Sequence, residues 1–593
     1  MTEIALGVGR SLSGRRWLWR AGEDRVGLGI AQRLGVPEIL GRLLAARGVD
    51  IEAAADFLEP TLRALLPDPS SLVDMDAASE RIADAVQRGE TVAVFGDYDV
   101  DGACSGALIF SLLRALDVPV LHYVPDRLTQ GYGPNAPALR ELATRGASLV
   151  VCVDCGTAAA DIFLAVRGPG DIPTDIVVLD HHKSEGPPPK IIATVNPNRL
   201  DDSSGMGMLC ATAIAFLTAI ATMRTLRRRG FFAARAEPNL LALLDLVALA
   251  TVCDVMPLTG LNRALVSQGL KVMARRDRPG IAALIDVALV KDRPSAFTCG
   301  FALGPRINAG GRISECDLGL RLLTTEDAVE ARALASKLDA VNRQRQDVEA
   351  SMLETALRAA EAQALAGHPV LFVTGAQWHP GVVGIVAGRI KERFNRPACV
   401  AGLADGLAKG SGRSVIGLDL GAAVIAARQS GILNTGGGHA MAAGFSLAAA
   451  RVEEFHAFLS VRLAAGADLP AAADLLVAAA LTVPGATLEL AQHISRLAPF
   501  GNGNEEPVFV LQRVRVVRAD RVGREGATIR AFVEGEGGGP RLKAMLFRAR
   551  EGALADAMLN RAGAPLHLAG NLRAEEWNGQ VNTGFTITDA APA

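Results

Sequence analysis

The stretch TVAVFGDYDVDG, residues 91–102, decides the fold, because a short apolar run ends there directly in three carboxylates. Helix-length stretches such as 103–116 and 137–145 separate this run from further apolar runs along the chain. Those further runs are VPVLHY, LVVCV, IVVL and IIATV. Such alternation predicts βαβ units, and therefore an α/β domain built on a parallel sheet.

Acidic residues and histidines follow three of these predicted strands. In open parallel sheets, ligands bind beyond the carboxyl ends of the strands, so we expect these side chains to meet at one edge. They are Asp97, Asp99 and Asp101 after TVAVFG, Asp154 after LVVCV, and Asp180, His181 and His182 after IVVL, with Asp254 after another apolar run, ALATVC.

The combination of these side chains predicts a metal centre. A single such aspartate is more often a helix cap or a turn residue. Crowded together, however, the carboxylates would repel one another strongly unless cations neutralised them. Carboxylates mixed with one or two imidazoles favour Mn²⁺ or Mg²⁺ over zinc. Two divalent ions can hold the attacking and leaving oxygens of a phosphoryl group, so the residues alone predict two-metal hydrolysis of a phosphate ester.

The rest of the chain divides by its patterns into further domains. Residues from about Arg16 to Arg88 have helical spacing, and the last ~120 residues are β-rich with Gly- and Asn-containing turns, as in a small β-barrel. Thr324 and Thr325 can cap a long, uninterrupted helix. We expect an N-terminal helical region (1–75), the α/β domain (76–323), a connecting helix (324–365), a second α/β domain (366–465) and a C-terminal β-barrel domain (466–593).

Composition limits the classes of protein that fit. At 593 residues the chain is too long for one core, and its net charge of −2 gives no global sign of a nucleic-acid partner. Eight scattered cysteines favour a reducing compartment. The CxxC pair Cys152 and Cys155 lacks a second pair nearby, and it lies within an apolar strand, so a zinc or redox role is disfavoured.

One apolar segment is long enough to be considered as a membrane span. Residues 205–223 are uncharged and are followed by arginines. The segment contains as much Gly, Ala and Thr as Leu and Ile, and it stands alone, so a buried helix explains it better. The amino terminus has no apolar core typical of a secretory signal. We therefore expect a soluble cytoplasmic protein without membrane contact.

Several motifs in order carry a resemblance to a known family. GDYDVDG (96–102), VDCG (153–156), DHH (180–182) and VCDV (252–255) resemble the DHH phosphoesterase superfamily. Later motifs extend the resemblance, nearly end to end, to the superfamily's 5′→3′ exonucleases for single-stranded DNA. These later motifs are RINAGGR (306–312), WHPGVVGIVAGRIKERFNRP (378–397), GSGR (410–413), GGGHAMAAG (436–444) and PFGNGNEEP (499–507).

The resemblance implies roles for the strand-end residues. It implies that Asp154 bridges the two ions, while Asp97 either binds an ion or supports a ligand from behind. Asp180 would orient the histidines, and His182 would touch the scissile phosphate. The implied direct ligands are Asp99, Asp101, Asp154, His181 and Asp254. The sequence departs from the family in VDCG, where VDNG is usual, and in VCDV, where VADV is commoner; neither change removes a ligand.

The resemblance also implies a substrate path. A terminal 5′-phosphate would be recognised by Arg127, Ser411 and Arg413, since guanidinium groups suit phosphate bidentately. Donors on a glycine-containing flexible loop (Arg306, Asn308 and Arg312) and in the GGGH stretch (Gly437, Gly438 and His439) would grip backbone phosphates. Tyr132 and Trp378 are candidates for base stacking, with ordinary packing an equal alternative.

The implied protein is an exonuclease that releases 5′-mononucleotides from single-stranded DNA in repair and recombination. Its C-terminal domain would have the OB-fold, and it would act as a monomer, with a helicase and a single-strand-binding protein as the partners that the resemblance implies.

Three alternatives remain within the same superfamily. An enzyme for short oligonucleotides would be shorter and would lack the β-rich tail. A catalytically silent scaffold would have lost acidic ligands, and this sequence retains them. A membrane-bound cyclic-dinucleotide phosphodiesterase is disfavoured because the apolar segment lies inside the predicted catalytic domain.

Overall fold

The computed structural model describes residues 3–127, 129–166, 174–184, 186–470, 472–523, 526–549, 551–560, 564–577 and 579–593. The chain forms two compact units. The first consists of Ala55–Gln344 and Ala498–Glu505, and the second of Met1–Ala54, Arg345–Leu497 and Glu506–Ala593.

Helices and strands are numbered along the chain. The helices are α1 (Asp24–Leu34), α2 (Glu38–Ala45), α3 (Ala54–Leu58), α4 (Leu62–Leu65), α5 (Met75–Arg88), α6 (Val100–Ala115), α7 (Ala136–Thr144), α8 (Ala160–Ala165), α9 (Ala211–Arg228), α10 (Leu244–Cys253), α11 (Gly260–Met273), α12 (Pro279–Val287), α13 (Gly304–Ile313), α14 (Leu318–Thr324), α15 (Ala328–Leu365), α16 (Val383–Phe394), α17 (Leu420–Gln429), α18 (Val452–Arg462), α19 (Leu488–Ser495) and α20 (Ala553–Leu559). The strands are β1 (Trp17–Trp19), β2 (Val92–Gly96), β3 (Val120–Tyr123), β4 (Leu149–Val153), β5 (Asp175–Leu179), β6 (Ala193–Val195), β7 (Leu371–Ala376), β8 (Ala398–Ala404), β9 (Leu407–Arg413), β10 (Thr435–His439), β11 (Ala442–Ala448), β12 (Leu475–Val477), β13 (Ala479–Leu481), β14 (Phe509–Val522), β15 (Thr528–Gly535), β16 (Leu542–Leu546), β17 (Leu566–Trp577) and β18 (Gln580–Pro592).

The first unit contains the predicted parallel sheet, with strand order β3-β2-β4-β5-β6. Its central strands are buried along their whole length, as expected when helices cover both faces. One face packs on α5, α6 and α9, and the other on α7 and α8. Because every strand runs the same way, β2, β4 and β5 all end at one edge of the sheet.

Residues 211–223 of the uncharged segment that raised the membrane alternative lie in α9, and for them the interpretation as a buried helix is confirmed, whereas residues 205–210 precede the helix. Almost every side chain of α9 is buried, and the helix packs against α5 and α6. Among the described residues, no helix is both long and apolar enough to cross a membrane.

The long helix predicted from residue 324 is present, but it begins at Ala328. Thr324 instead ends α14, and the amide of Val329 donates a hydrogen bond of 2.7 Å to Asp327. The prediction that Thr324 and Thr325 cap the helix is therefore wrong: Asp327 is the residue whose side chain accepts from the first turn.

The second unit contains a sheet of order β10-β11-β9-β8-β7, in which only the β7–β8 pair is parallel. Phe372, Phe445 and Phe455 pack together in its core. In the C-terminal region, β14 pairs with β15 and β17, β15 with β16, β16 with β18, and β18 with β17. These pairings return to their starting strand, as in a small β-barrel.

The helical interpretation from Arg16 onward is wrong at its beginning, because Trp17–Trp19 is a strand. It pairs in parallel with Leu475–Val477. Trp17 is fully buried, and its indole N–H donates a 2.9 Å hydrogen bond to Asp589. The partner strand lies more than 450 residues away in sequence, so local periodicity could not reveal it.

Candidate metal centre

The turn from β2 into α6 places the first group of carboxylates. Asp97 follows the strand and is almost fully buried, while Asp99 caps α6 by accepting a 3.0 Å hydrogen bond from the Gly102 amide. A Cβ at Gly102 would lie 2.5 Å from the Asp97 carbonyl oxygen, so only glycine lets the helix start this close to the strand end. The turn therefore presents carboxylates at the carboxyl edge of the sheet.

Asp101 is held in place by the amino end of α9. Its carboxylate accepts hydrogen bonds from the amides of Ala211 (2.7 Å) and Thr212 (2.9 Å) and from the Thr212 hydroxyl (2.6 Å). The positive end of a helix dipole stabilises a carboxylate in this position. Thr212 thus fixes a predicted ligand, a role that the sequence alone did not suggest.

Asp154 follows β4 with a left-handed backbone, φ 58°. This conformation is uncommon for residues other than glycine, and it is concentrated at functional sites. Oδ1 of Asp154 lies 3.4 Å from Nε2 of His181.

Two further carboxylates approach the same imidazole nitrogen. Nε2 of His181 lies 3.5 Å from Oδ2 of Asp254 and 3.7 Å from Oδ2 of Asp101. Asp254 follows the carboxyl end of α10. The apolar run ALATVC that precedes it is therefore part of a helix and not another strand of the sheet. The predicted convergence of Asp254 on this edge nevertheless occurs.

Asp180 organises the histidine pair. Its Oδ1 accepts hydrogen bonds from the backbone amide of His181 (2.8 Å) and from Nδ1 of His182 (2.8 Å), and its Oδ2 accepts from the Thr157 amide (3.0 Å). Burial opposes ionisation of Asp180, but the bond with His182 and the charge of that ring bring its pKa below the usual range. Burial opposes protonation of His182, but Asp180 raises its pKa to about 9.

Two asparagines hold the histidine backbone, and the sequence analysis did not identify them. Nδ2 of Asn196 donates to the His182 carbonyl at 2.8 Å, and Nδ2 of Asn198 donates to the His181 carbonyl at 2.6 Å. Asn196 follows β6 directly and Asn198 comes two residues later, so the strand-end signal was present, but it was applied only to carboxylates and imidazoles.

Three carboxylate oxygens in this edge are buried and have no hydrogen-bond partner among the described residues: Oδ1 of Asp97, Oδ1 of Asp154 and Oδ2 of Asp254. Burial is the main cause that raises the pKa of all three groups, and neighbouring carboxylates raise it further. The pKa of Asp254 rises to about 8. Buried acceptors without donors are costly, so this arrangement fits bound cations.

The ligand atoms form overlapping groups in which all atoms lie within 4.8 Å of one another. The groups are Asp97, Asp99 and Asp154; Asp101, His181 and Asp254; and Asp154, His181 and His182. Asp154 is shared by two of them. Oxygen ligands with one or two imidazoles suit Mn²⁺ and Mg²⁺.

Comparisons with known proteins agree with this geometry. The chain matches family models described as DHH family, N-terminal domain (residues 91–251), DHHA1 domain (367–465) and RecJ OB domain (477–589). It is 39% identical to the single-stranded-DNA-specific exonuclease RecJ of Dickeya dadantii, over 86% of this chain and 89% of that one. The identity to RecJ of Escherichia coli is 36%, with the same coverage of both chains.

The chain belongs to the RecJ family. The fold is similar to crystal structures of RecJ from Thermus thermophilus in complex with Mn²⁺ and with Mg²⁺. The Mn²⁺ complex gives a TM-score of 0.79 at 28% identity, over 97% of this chain and 79% of that one. For the Mg²⁺ complex the TM-score is 0.74 at 27% identity, over 97% and 78%.

In this member of the RecJ family, Tyr132 contacts the metal centre directly. Its hydroxyl donates a 2.8 Å hydrogen bond to the Asp154 carbonyl oxygen, and its ring meets the His182 ring edge-on at 5.6 Å. The residue is 53% exposed, so part of the ring is open to solvent beside the carboxylates. Cys155 is buried nearby, and its Sγ donates to the Val153 carbonyl; burial raises the pKa of its thiol.

Arg127 lies beside the first motif. Its guanidinium carbon is 4.9 Å from the centre of the Tyr98 ring. Gly311 also packs closely against Tyr98, since a Cβ at that position would lie 2.6 Å from the ring. Arg127 lies near the carboxylates, since its charge also acts on Asp97.

The prediction that RINAGGR forms a flexible loop is wrong, because these residues lie in α13. Arg306 donates from Nε to Asp339 at 2.9 Å and from Nη1 to the Ala302 carbonyl at 2.6 Å. Gly310 and Gly311 are buried and serve close packing rather than loop mobility. The proposed phosphate contacts of Arg306, Asn308 and Arg312 would therefore be made from a helix.

Ser411 and Arg413 lie together on β9 in the second unit. Nη1 of Arg413 donates to the Ser411 hydroxyl at 3.0 Å. Both side chains face the first turn of α16, because a Cβ at Gly384 would meet Ser411 Oγ at 3.1 Å and Arg413 Nη2 at 3.3 Å. No side chain caps this helix start among the described residues. A guanidinium, a hydroxyl and a helix amino end together suit an anion.

The GGGH stretch forms β10, an edge strand of the same sheet, with Gly438 and His439 exposed. Trp378 lies over two glycines, since a Cβ at Gly375 would meet its ring at 2.1 Å and one at Gly402 its carbonyl oxygen at 2.2 Å. Trp378 is half-buried.

Proposed function

We propose that this member of the RecJ family is a 5′→3′ exonuclease that hydrolyses single-stranded DNA to 5′-mononucleotides with two Mn²⁺ or Mg²⁺ ions. The observation that carries the proposal is the set of buried, unpartnered carboxylate oxygens on Asp97, Asp154 and Asp254 around the His181 ring. The names of the relatives support the substrate class, since these proteins are single-stranded-DNA-specific exonucleases. The proposed ligands are Asp97, Asp99, Asp101, Asp154, His181 and Asp254.

In the proposed mechanism, the ions supply charge neutralisation at the phosphate and activation of water when bound. Asp154 belongs to two of the three ligand groups and would therefore help to hold both ions. Asp180 keeps Nδ1 of His182 occupied, and Nε2, which lies 3.3 Å from the Tyr132 hydroxyl, would face the scissile phosphate. Asn196 and Asn198 hold both histidine carbonyls, so the rings are oriented before substrate arrives.

The polarity of attack requires recognition of a terminal phosphate. We assign this role to Ser411 and Arg413, which form an uncapped, positively charged helix start with α16, and to Arg127 beside the first motif. Arg306, Asn308, Arg312, Gly437, Gly438 and His439 are assigned to the DNA backbone, and Tyr132 and Trp378 to its bases.

Two alternatives within the superfamily are less well supported. An enzyme for short oligonucleotides has no need of the C-terminal domain that matches the RecJ OB model over residues 477–589. A silent scaffold would not require the complete set of ligands that lies at the sheet edge.

The proposal includes a domain division and a cellular setting. The domains are 1–75, 76–323, 324–365, 366–465 and 466–593, with DNA repair and recombination as the setting. Eight free cysteines suit the cytoplasm. A helicase and a single-strand-binding protein are proposed partners of a monomeric enzyme.

The experiment that tests the function is a substrate panel with Mn²⁺, with Mg²⁺ and with a chelator. It compares 5′-phosphorylated single strands with blunt duplex, single-stranded RNA and dinucleotides. We expect metal-dependent hydrolysis of the single-stranded DNA alone, or hydrolysis of the single-stranded DNA at a far higher rate than that of the other substrates. Equal or faster cleavage of dinucleotides would contradict the substrate class, and no hydrolysis of any substrate would favour a scaffold.

A further inference from the structure

The motif PFGNGNEEP has no role in the chemistry described above, yet it contacts the loop that follows a proposed metal ligand. Although the sequence on both sides of it belongs to the second unit, Ala498–Glu505 belongs to the first. The Asn502 carbonyl accepts a 2.8 Å hydrogen bond from the amide of Leu258, and Nδ2 of Asn502 donates a 2.7 Å bond to the Val255 carbonyl. This segment therefore holds both ends of the loop 255–258.

The loop begins with an unfavourable backbone conformation. Val255 has φ 58°, immediately after Asp254 at the carboxyl end of α10. A left-handed residue is common at this position of a helix end, but it is usually glycine. For a β-branched residue it is a genuine outlier, which persists only when the surroundings enforce it.

The rest of the segment is built for close contact with the loop. A Cβ at Gly501 would lie 2.7 Å from Leu258, and one at Gly503 would lie 3.2 Å from Pro257. Asn504 is buried and closes the turn by donating to the Pro499 carbonyl at 2.8 Å. Leu258 is itself buried in a small apolar cluster. These contacts give the segment one fixed position on the loop.

We propose that Asn502 is a positioning residue, which holds Val255 in its left-handed conformation and thereby aims the Asp254 carboxylate at the metal centre. The proposal rests on the proposed metal site and adds to it a residue that lies 247 positions after Val255 in the chain. Without the bond from Asn502, Val255 would relax toward an ordinary backbone conformation, and the direction of the preceding side chain would change with it.

The test is Mn²⁺ binding to the full chain by isothermal titration calorimetry, with hydrolysis measured in parallel. Asn502→Ala is expected to weaken Mn²⁺ binding about tenfold, in the range found when supports of a metal ligand are removed. Val255→Gly should bind nearly as well as the parent, since glycine adopts this conformation freely. In the Val255→Gly background, Asn502→Ala should lower Mn²⁺ affinity much less than it does in the parent. Asn434→Ala, at an exposed asparagine of the second unit, is the control.

The double variant separates positioning from general damage. Two results would overturn the proposal. One is that Asn502→Ala lowers Mn²⁺ affinity as much in the Val255→Gly background as in the parent, and the other is that Asn502→Ala leaves Mn²⁺ affinity unchanged. If Asn502→Ala lowers the thermal midpoint, rescue of Mn²⁺ affinity by Val255→Gly still decides the question. A parent chain that binds no Mn²⁺ would count against the proposed function itself.

A separate surface of the first unit has the features of a nucleic-acid contact. A groove of about 640 Å³ is lined by five exposed cations and a single carboxylate, Asp292, in a chain whose net charge is −2. The cations are Lys271, Arg275, Arg276, Lys291 and Arg293. Within the described part of the chain, only Arg276 of these five forms an ion pair, with Asp286.

An exposed aromatic pair lies next to this groove. Phe297 and Phe301 are 69% and 70% exposed, and their rings stack with centroids 4.8 Å apart. Phe297 follows the groove residue Pro294 by three positions, and Sγ of Cys299 lies 4.0 Å from Sδ of Met273, the residue that precedes the groove residue Ala274. Basic side chains next to exposed aromatic rings are the usual features of a surface for single strands.

We also infer that this groove and the phenylalanine pair bind single-stranded nucleic acid beyond the metal centre, so that longer strands gain affinity from it. This inference, too, rests on the proposed function. A strand of about 30 thymidines would reach the groove, whereas one of about 4 would occupy only the metal centre, given the usual few nucleotides per contact site.

Fluorescence anisotropy with both oligonucleotides, in chelator to prevent hydrolysis, tests the inference. Arg275→Ala, Lys291→Ala and Arg293→Ala together should weaken binding of the long strand about tenfold and lower its salt slope by about 2, while the short strand is unaffected. Arg332→Ala, Arg358→Ala and Arg393→Ala together are the charge-matched control. Long-strand affinity equal to that of the control would overturn the inference, and so would equal losses on both strands. A parent chain that binds neither strand would contradict the proposed function instead.

Discussion

Oδ1 of Asp154 lies 3.4 Å from Nε2 of His181, and no donor among the described residues satisfies that oxygen. The two residues follow neighbouring parallel strands, so the distance between them is set by the sheet rather than by a loop. Asp154 is held there in a left-handed conformation. A buried carboxylate in this state destabilises the metal-free protein, and the same carboxylate favours binding of a cation.

Asp154→Asn is expected to separate these two effects. Asparagine tolerates the left-handed backbone and removes one charge from the cluster, so the metal-free variant should melt no lower than the parent. Stabilisation by Mn²⁺ should largely disappear, and hydrolysis should fall more than about 100-fold, beyond the loss seen for residues that only support ligands. Thermal melts with and without Mn²⁺ measure this. Asp405→Asn, at an exposed turn with φ 51°, is the matched control.

Asp180→Asn should impair turnover without removing a ligand. The asparagine side chain has one acceptor oxygen where aspartate has two. Either the hydrogen bond with His182 or the one from the Thr157 amide is therefore lost. We expect hydrolysis to fall about 10- to 100-fold, and Mn²⁺ affinity to fall less. Steady-state kinetics beside calorimetry checks this, with Asp161→Asn on the exposed face of α8 as control. Unchanged turnover would contradict the orienting role of Asp180.

Arg413→Ala should reduce the preference for a phosphorylated 5′ end. Removing a charged hydrogen bond to phosphate should lower the rate of hydrolysis of 5′-phosphorylated strands by about 10- to 100-fold. Strands with a 5′-hydroxyl should lose little. Rates on the two substrates, with Arg393→Ala as control, measure the difference. Equal losses on both would remove Arg413 from end recognition.

Arg306→Ala should act on stability as well as on any DNA contact, because its guanidinium bonds to Asp339 and to the Ala302 carbonyl. We expect the thermal midpoint to fall by only about 1 to 2 °C, which corresponds to about 1 kcal/mol in a chain of this size. Asp339→Asn should cause a similar loss, and the double variant should lose less than the sum. Additive losses would show that the two side chains act independently.

The positions of the proposed ligands were predictable because the signal is local: an apolar strand that ends in a carboxylate is visible in the sequence, and parallel strands end at one edge. Asp97, Asp154 and His181 were found in this way. RINAGGR was misread as a loop because glycine usually marks mobility, whereas Gly311 here lets the helix approach Tyr98. Trp17 and Asn502 were not found, because their partners lie hundreds of residues away, at Asp589 and Val255.

The most direct test of the central claim follows one strand labelled at either end during hydrolysis with Mn²⁺. A two-ion enzyme that works from the 5′ end should release labelled mononucleotide at once from the 5′-labelled strand, while the 3′-labelled strand shortens through a ladder. Chelator and Asp154→Asn should abolish both patterns. Immediate mononucleotide release from the 3′ label, or digestion that survives chelator, would contradict the account.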